Sequence, residues 1–281
     1  MGFGCNACGV VGCRIIESPR ERLIAILTNN FVPCNGRFPT LITIISIFFT
    51  GTLLAPYDTI FSAVLLMAVI LLGIFMTFMI SKLLSKTVLK GLPSSFILEL
   101  PPYRRPQFGK VILRSLLDRV SFVLLRAVSI ASIAGAIIWI LANVDVNGIS
   151  LLKHCSVFLD PLGRLLGMDG VILLAFILGF PANEIVLPII IMCYLSMGSL
   201  VEMESLTELQ ALFTANGWTW LTAVCTMLFV LMHFPCGTTC LTIRKETKSW
   251  KWTLLAIFIP TAMGMLICFC VATIARLFGL A

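Results

Sequence analysis

Five long apolar runs constrain this chain more than anything else in it: Leu41 to Tyr57, Thr59 to Leu83, Ser121 to Leu141, Trp218 to His233 and Trp252 to Arg276. A helix needs about 20 such residues to cross about 30 Å of hydrocarbon, and lipid offers no partner for an unpaired backbone group. Two of the runs are short enough to need their flanks. A sixth run, Val171 to Leu195, is interrupted by Pro181-Ala182-Asn183-Glu184. Hydrophobic residues make up 59% of the chain and charged ones 12%, against about 25% charged in ordinary soluble domains. The sequence therefore predicts an all-α, polytopic integral membrane protein with about five full transmembrane helices, one broken or re-entrant helix, and interfacial helices. No polar stretch is long enough to bury a soluble core of its own.

The net charge of +7 does not imply nucleic acid, because the basic residues flank the apolar runs as juxtamembrane charges do. Lys and Arg number four in residues 14–37, eight in 81–119, two in 143–170, none in 199–216 and four in 237–251. The positive-inside rule puts the first, second and last of these segments on the cytoplasmic side, and the acidic segment with Glu202, Glu204 and Glu208 outside. Both ends of the Val171 to Leu195 run then lie outside, so it enters and returns as a hairpin with its tip at Pro181 to Glu184. A single tilted span is the alternative, and it would move the segment from Arg244 outside. Ala55-Pro56-Tyr57-Asp58 is a tight turn that makes the first two runs a hairpin. Glu17 to Phe31 is amphipathic, with Ser18 placed to cap a helix and Pro19 to begin it, and is expected along the inner interface. The organisation expected is a first, partial gate region with a transmembrane hairpin (1–80), a basic cytoplasmic or interfacial segment (81–120), and a second gate region with a helix broken at 181–184 (121–281).

An ionisable group at membrane depth costs about 2.5 to 3.5 kcal/mol on insertion scales and so faces a partner, a cavity or a permeating solute. Glu184 sits in such a place, between Pro181 and Pro188, whose rings free backbone carbonyls that can line a polar path. A carboxylate on a surface loop is the plainer reading of the same residue.

Several motifs recur in order between the runs. They are Gly2-Phe3-Gly4-Cys5-Asn6 with Arg14 and Ser18-Pro19-Arg20-Glu21-Arg22; Pro33-Cys34-Asn35-Gly36-Arg37; Glu99-Leu100-Pro101-Pro102-Tyr103 with Arg104 and Pro106; Pro181 to Glu184; and Pro235-Cys236-Gly237-Thr238-Thr239 with Lys245-Glu246-Thr247 and Trp250-Lys251-Trp252. Together they resemble the membrane part of the ferrous iron transport protein B (FeoB) family, over essentially the whole chain. The resemblance implies Fe2+ as the transported substrate, paired gate regions related to those of nucleoside transporters, and the cytoplasmic membrane of a bacterium as a multi-pass location. Ala7-Cys8 departs from the Val-Pro that often follows the first motif.

Members of that family also carry a guanine-nucleotide-binding domain with a phosphate loop. Here the only Gly-Lys pair, Gly109-Lys110, has neither the preceding glycine nor the following Ser or Thr that such a loop needs. The resemblance thus covers the C-terminal membrane half, and a fragment, a split gene product and a degenerate member all remain open. GTP and Mg2+ would act only through a separate domain, no enzymatic activity is expected of the chain itself, and no catalytic or cofactor-binding residue is assigned. Expected partners are Fe2+, the lipid bilayer, a GTPase domain, small cytosolic Feo proteins and a second copy of the chain.

Fe2+ accepts thiolate, imidazole or carboxylate, and a transport site must strip water yet release the ion. Cys5, Cys34 and Cys236 each lie beside Gly or Pro where an apolar helix breaks, which makes them candidate metal ligands. Glu184 and Asn183 would add oxygen, and Glu99 a second carboxylate nearer the cytoplasm. His233, three residues before Cys236, reads more simply as an interfacial residue. A nucleoside-type solute carrier on the same gates and a transport-inactive membrane scaffold are the competing functions.

Overall fold

The computed structural model describes residues 2–50, 57–91, 109, 113, 121–146, 148–196, 198–200, 203 and 205–279. Glu99 and its proline motif, the basic cluster from Arg104 to Arg119, and the turn residues Ala55 and Pro56 lie outside them, and the Arg126 side chain is likewise not described.

A short helix α1 (Asn6–Gly12) leads through a 3-10 turn to α2 (Pro19–Thr28). As the sequence predicts, Ser18 caps α2 by accepting from the Glu21 amide, and Pro19 occupies its first turn, where a missing N–H costs nothing. α2 packs on later helices and buries Ile26, Leu27 and Thr28 there. A break over Asn29 to Arg37 precedes α3 (Phe38–Phe48). α4 (Tyr57–Lys86) is the first long helix, and Ile60, Val64, Met67, Leu71, Phe75 and Phe78 stand exposed along it. That apolar face belongs in lipid.

α5 (Ser121–Asn143) is followed by a two-residue antiparallel ladder, β1 (Asp145–Val146) with β2 (Ile149–Ser150). α6 (Leu151–Leu165) and α7 (Gly170–Leu178) meet at an elbow of 111°. The elbow needs glycine: a side chain at Gly170 would run into the Ser156 carbonyl, and Gly167 has φ +75°. A 3-10 turn (Asn183–Ile185) joins α7 to α8 (Val186–Leu195). α9 (Leu206–Ala215), α10 (Trp220–Met232), α11 (Gly237–Thr247) and α12 (Trp250–Leu277) complete the chain. The core lies where α3, α7, α8 and α10 meet, around Leu41, Ile44, Ile172, Phe176, Ile189 and Leu231.

Among the described residues, three helices are long and apolar enough to cross a membrane: Asp58–Lys86, Trp220–Thr247 and Trp250–Leu277. The bent pair α6–α7 makes four if it counts as one span. The protein is thus a multi-pass, helical membrane protein. Two expected spans come out differently. The helix that opens the run beginning at Leu41 ends at Phe48; the 11 residues of α3 reach about 16 Å, and Leu41, Ile44 and Ile47 are buried by protein rather than lipid. The run ending at His233 continues past its proline, so that α10 and α11 form one 28-residue span broken at His233 to Cys236. Pro235 interrupts the backbone ladder there without turning the chain back.

The Val171 to Leu195 run does return on itself. Tyr194, at the end of α8, donates to the carboxylate of Asp169, which caps the start of α7, and accepts from the Trp218 indole at 2.7 Å. The two ends of the run therefore lie side by side, with Pro181 to Glu184 at the far tip.

Candidate functional site

Three interruptions in helical structure come together with the segment Gly2 to Cys5 before α1: Asn29 to Arg37 before α3, Gly179 to Ile185 between α7 and α8, and His233 to Cys236 between α10 and α11. Proline explains all three interruptions. Pro33, Pro181 and Pro235 each remove an amide donor and push the preceding residue out of the helical region. The strands of backbone so freed bond to one another. The Asn35 amide donates to the Gly4 carbonyl at 3.2 Å, and the Gly237 amide to the Phe180 carbonyl at 2.7 Å.

At the centre lies Arg37, fully buried at 0% exposure. Its Nη1 donates to the carbonyls of Asn30 (2.8 Å) and Leu231 (2.9 Å). Its Nη2 donates to Asn30 Oδ1 (3.1 Å) and to the carbonyls of His233 (3.1 Å) and Phe234 (3.4 Å). Asn30 Nδ2 adds a bond to the His233 carbonyl at 2.7 Å, and Asn6 Nδ2 one to Asn30 Oδ1 at 3.2 Å. Among the described residues no carboxylate pairs with Arg37, and its Nε is buried without a hydrogen-bond partner. A buried charge is tolerable only when hydrogen bonds replace its water, and here carbonyl oxygens supply nearly all of that replacement.

The predicted ligands stand around this centre. Cys34 is buried, and Asn183 Nδ2 points at its Sγ from 3.9 Å. The Asn183 oxygen lies 3.3 Å from His233 Nε2, while His233 Nδ1 faces the carbonyls of Phe229 and Val230. Glu184 is exposed but sits against the Cys34 loop: a Cβ on Gly36 would lie 3.4 Å from Glu184 Oε2, so glycine there brings the two tips together. Cys236 is half-buried beside Thr239 Oγ1 (3.2 Å) and has Cys34 and Cys5 as electrostatic neighbours. Glu99 lies outside the described residues. Among the described residues, no three His, Cys, Asp or Glu side chains gather as a ready metal cluster.

Sequence reasoning placed Arg37 in the Pro33 to Arg37 motif and counted it with the loop charges, but did not see it as the buried centre of the site. The signal available was its position: it directly precedes α3, whose next ten residues are apolar or hydroxylated with no charge among them. Asn6 closes the first motif, and Asn30 gave no signal beyond being polar.

Two further polar features lie away from this junction. Arg14 binds Glu246 through both nitrogens of its fork, at 2.7 and 2.6 Å, and so ties the end of the first motif to the last turn of α11. A cavity of about 770 Å³ opens at the α6–α7 elbow, lined by Lys153, Asp160, Arg164, Asp169, Cys193 and Tyr194 among others.

Two family patterns match the chain. The C terminus of ferrous iron transport protein B matches residues 66–118, and the Gate family, described as nucleoside recognition, matches residues 124–250. An Fe(2+) transporter FeoB of Staphylococcus aureus (strain MSSA476) is 32% identical over 289 residues, covering 99% of this chain and 40% of the relative. An Fe(2+) transporter FeoB of Methanocaldococcus jannaschii is 27% identical over 291 residues, covering 99% of this chain and 41% of the relative. A protein of Porphyromonas gingivalis described as a fusion of Fe(2+) transport protein A with Fe(2+) transporter FeoB is 23% identical over 329 residues, covering 99% of this chain and 37% of the relative. The chain thus spans about two fifths of the length of these relatives. No solved structure matches it.

Proposed function

Because the chain belongs to the ferrous iron transport protein B family, we propose that it is the membrane permease portion of an Fe2+ importer, moving Fe2+ through paired gate regions in the cytoplasmic membrane of a bacterium. The observation that carries this reading is the meeting of three chain breaks that bring Cys34, Asn183 and Glu184 to one place, with Cys236 and Cys5 beside them. Thiol, amide and carboxylate suit a borderline ion held briefly. Transport rather than catalysis is the role, and the ion is the substrate, passing from Glu184 at the exposed tip inward to the thiols. Glu99 is a proposed second carboxylate on the cytoplasmic side.

GTP and Mg2+ enter only through a nucleotide-binding domain carried elsewhere, docking on the basic segment 81–120. The fusion relative supports a small cytosolic Feo protein as a further partner, and a second copy of the chain is proposed as well.

The test is Fe2+ uptake in cells supplied with that nucleotide domain, with membrane levels of each variant matched. Cys34→Ser, Cys236→Ser and Glu184→Ala should each cut uptake, and Cys268→Ser, buried between α10 and α12, should not. If all four transport like the parent, the thiols are packing. The nucleoside-recognition description of the matching Gate family favours a second reading, an organic-solute carrier. Uptake of uridine in place of Fe2+ would establish it.

A further inference from the structure

We infer that Arg37 is a tethered cation that fills a carbonyl cage of the transport path and bars other cations from the junction until its side chain is displaced. This rests on the proposed passage of Fe2+ past Cys34 and Cys236.

The guanidinium has the surroundings of a coordinated ion. Five oxygens converge on its two terminal nitrogens at 2.8 to 3.4 Å, four of them backbone carbonyls of Asn30, Leu231, His233 and Phe234. Three of those carbonyls come from two different chain breaks and the fourth, of Leu231, from the last turn of α10; unwound carbonyls and helix C-terminal ends of this kind coordinate cations in transporters. Carbonyl cages select and hold cations by replacing hydration, and a fixed arginine in a pore repels them. Arg37 does both at once, occupying the cage and placing a positive charge beside Cys34 and Cys236, its electrostatic neighbours.

A purely structural arginine would be expected to pair with a carboxylate or to have every donor matched. Arg37 has neither, since no carboxylate pairs with it among the described residues and its Nε is unsatisfied. The unmatched donor makes the plug easier to withdraw than a fully bonded one, as a gate requires. Withdrawal would free carbonyl oxygens from both breaks together and couple the α2–α3 break to the α10–α11 break.

The full chain reconstituted in liposomes tests this, with passive entry of Fe2+ kept reduced by ascorbate and, in parallel, entry of glycerol as a neutral solute. Arg37→Gln, which retains hydrogen bonding without charge, should raise Fe2+ entry by about tenfold or more and leave glycerol entry unchanged. Arg37→Lys keeps the charge and should stay near the parent. Fe2+ entry that does not rise in Arg37→Gln, rises together with glycerol entry, or rises equally in Arg37→Lys overturns the inference. Should Arg37→Gln fail to fold, the parent chain still decides. Its half-buried Cys236, followed by mass spectrometry, should react more slowly with a cationic than with an anionic methanethiosulfonate of the same size, and equal or reversed rates overturn the plug. Failure of the underlying reading looks different: Cys34→Ser and Cys236→Ser would then leave Fe2+ uptake intact whatever Arg37 does.

Discussion

Arg37 and Glu184 are opposite charges at two proline-marked breaks of this chain, and the fold treats them in opposite ways. Arg37 is buried completely and bonded to oxygens from two segments; Glu184, at the tip of the α7–α8 hairpin, is exposed and touches the first loop only by its closeness to Gly36. Both breaks are built by the same means, a proline that frees carbonyls. What differs is whether a cation or an anion follows. Freed carbonyls can solvate a guanidinium, which brings donors, but offer nothing to a carboxylate, which brings only acceptors. The cation is therefore drawn into the junction and the anion is left outside it.

The largest effect should come from removing the buried charge. Arg37→Met keeps the stem and removes the donors, leaving five oxygens without the partner they now share. Leaving a buried acceptor without its donor costs about 1 to 3 kcal/mol, and several are left here, so the variant should unfold well below the parent in a detergent melt. A variant as stable as the parent would mean that water replaces the guanidinium at no cost, and the contrast with Glu184 would collapse.

The second effect is smaller and joins the two regions. Asn183 is buried, its amide nitrogen at Cys34 and its oxygen at His233. Asn183→Leu should lose about 1 to 3 kcal/mol, the cost of leaving a buried polar partner unmatched, because the His233 Nε2 side loses its oxygen. The Cys34 contact is long and adds little. Equal stability of Asn183→Leu and the parent would show that the hairpin tip is held by packing of Phe180 and Phe234 alone.

Much of this arrangement was legible in the residues. The Ser18 cap, the proline breaks and the apolar length of α4 and α12 follow from local rules that tertiary context did not override. The folded-back α7–α8 pair was legible from the interruption at Pro181 to Glu184 together with the charge count, which favoured a hairpin over a single tilted span. The shortness of α3 was not. Leu41 to Tyr57 is apolar enough for lipid, and only the packing of α3 against α9, α10 and α4 shows that protein covers it. Arg37 was misread for a related reason: periodicity and charge counting register a cation beside an apolar run, but not the carbonyls that other segments bring to it.

The third effect tests the tie between the two halves away from the junction. Arg14 and Glu246 are joined through Nε and Nη2 of the guanidinium, with the arginine side chain 59% and the glutamate 11% exposed. Exposed pairs contribute about 0.2 to 1 kcal/mol, and salt screens them. Arg14→Ala should therefore cost a fraction of what Arg37→Met does, and raising the ionic strength should shrink the difference between Arg14→Ala and the parent. A double-mutant cycle with Glu246→Ala isolates the pair. A coupling as large as the loss in Arg37→Met would make this exposed contact, rather than the buried cage, the principal link between the N-terminal segment and α11.

The smallest effect on stability should come from Glu184, and it is the most informative. Its carboxylate is exposed, its neighbours are the Gly36 backbone and its own turn, and no cation pairs with it among the described residues. Glu184→Gln removes the charge with almost no change of volume, so the melting transition should move by no more than about 0.5 kcal/mol, as for surface changes generally. Fe2+ uptake should nevertheless fall, because the ion loses the one charged oxygen at the hairpin tip. The dependence of uptake on Fe2+ concentration gives the sharper reading: loss of a capture site shifts the half-saturating concentration upward, whereas damage to the junction lowers the maximal rate. A Glu184→Gln variant that keeps both parameters would place ion capture elsewhere on the molecule. One that lowers the maximal rate alone would mean that the exposed carboxylate works with Arg37 in opening the path, and the two breaks would then form a single switch.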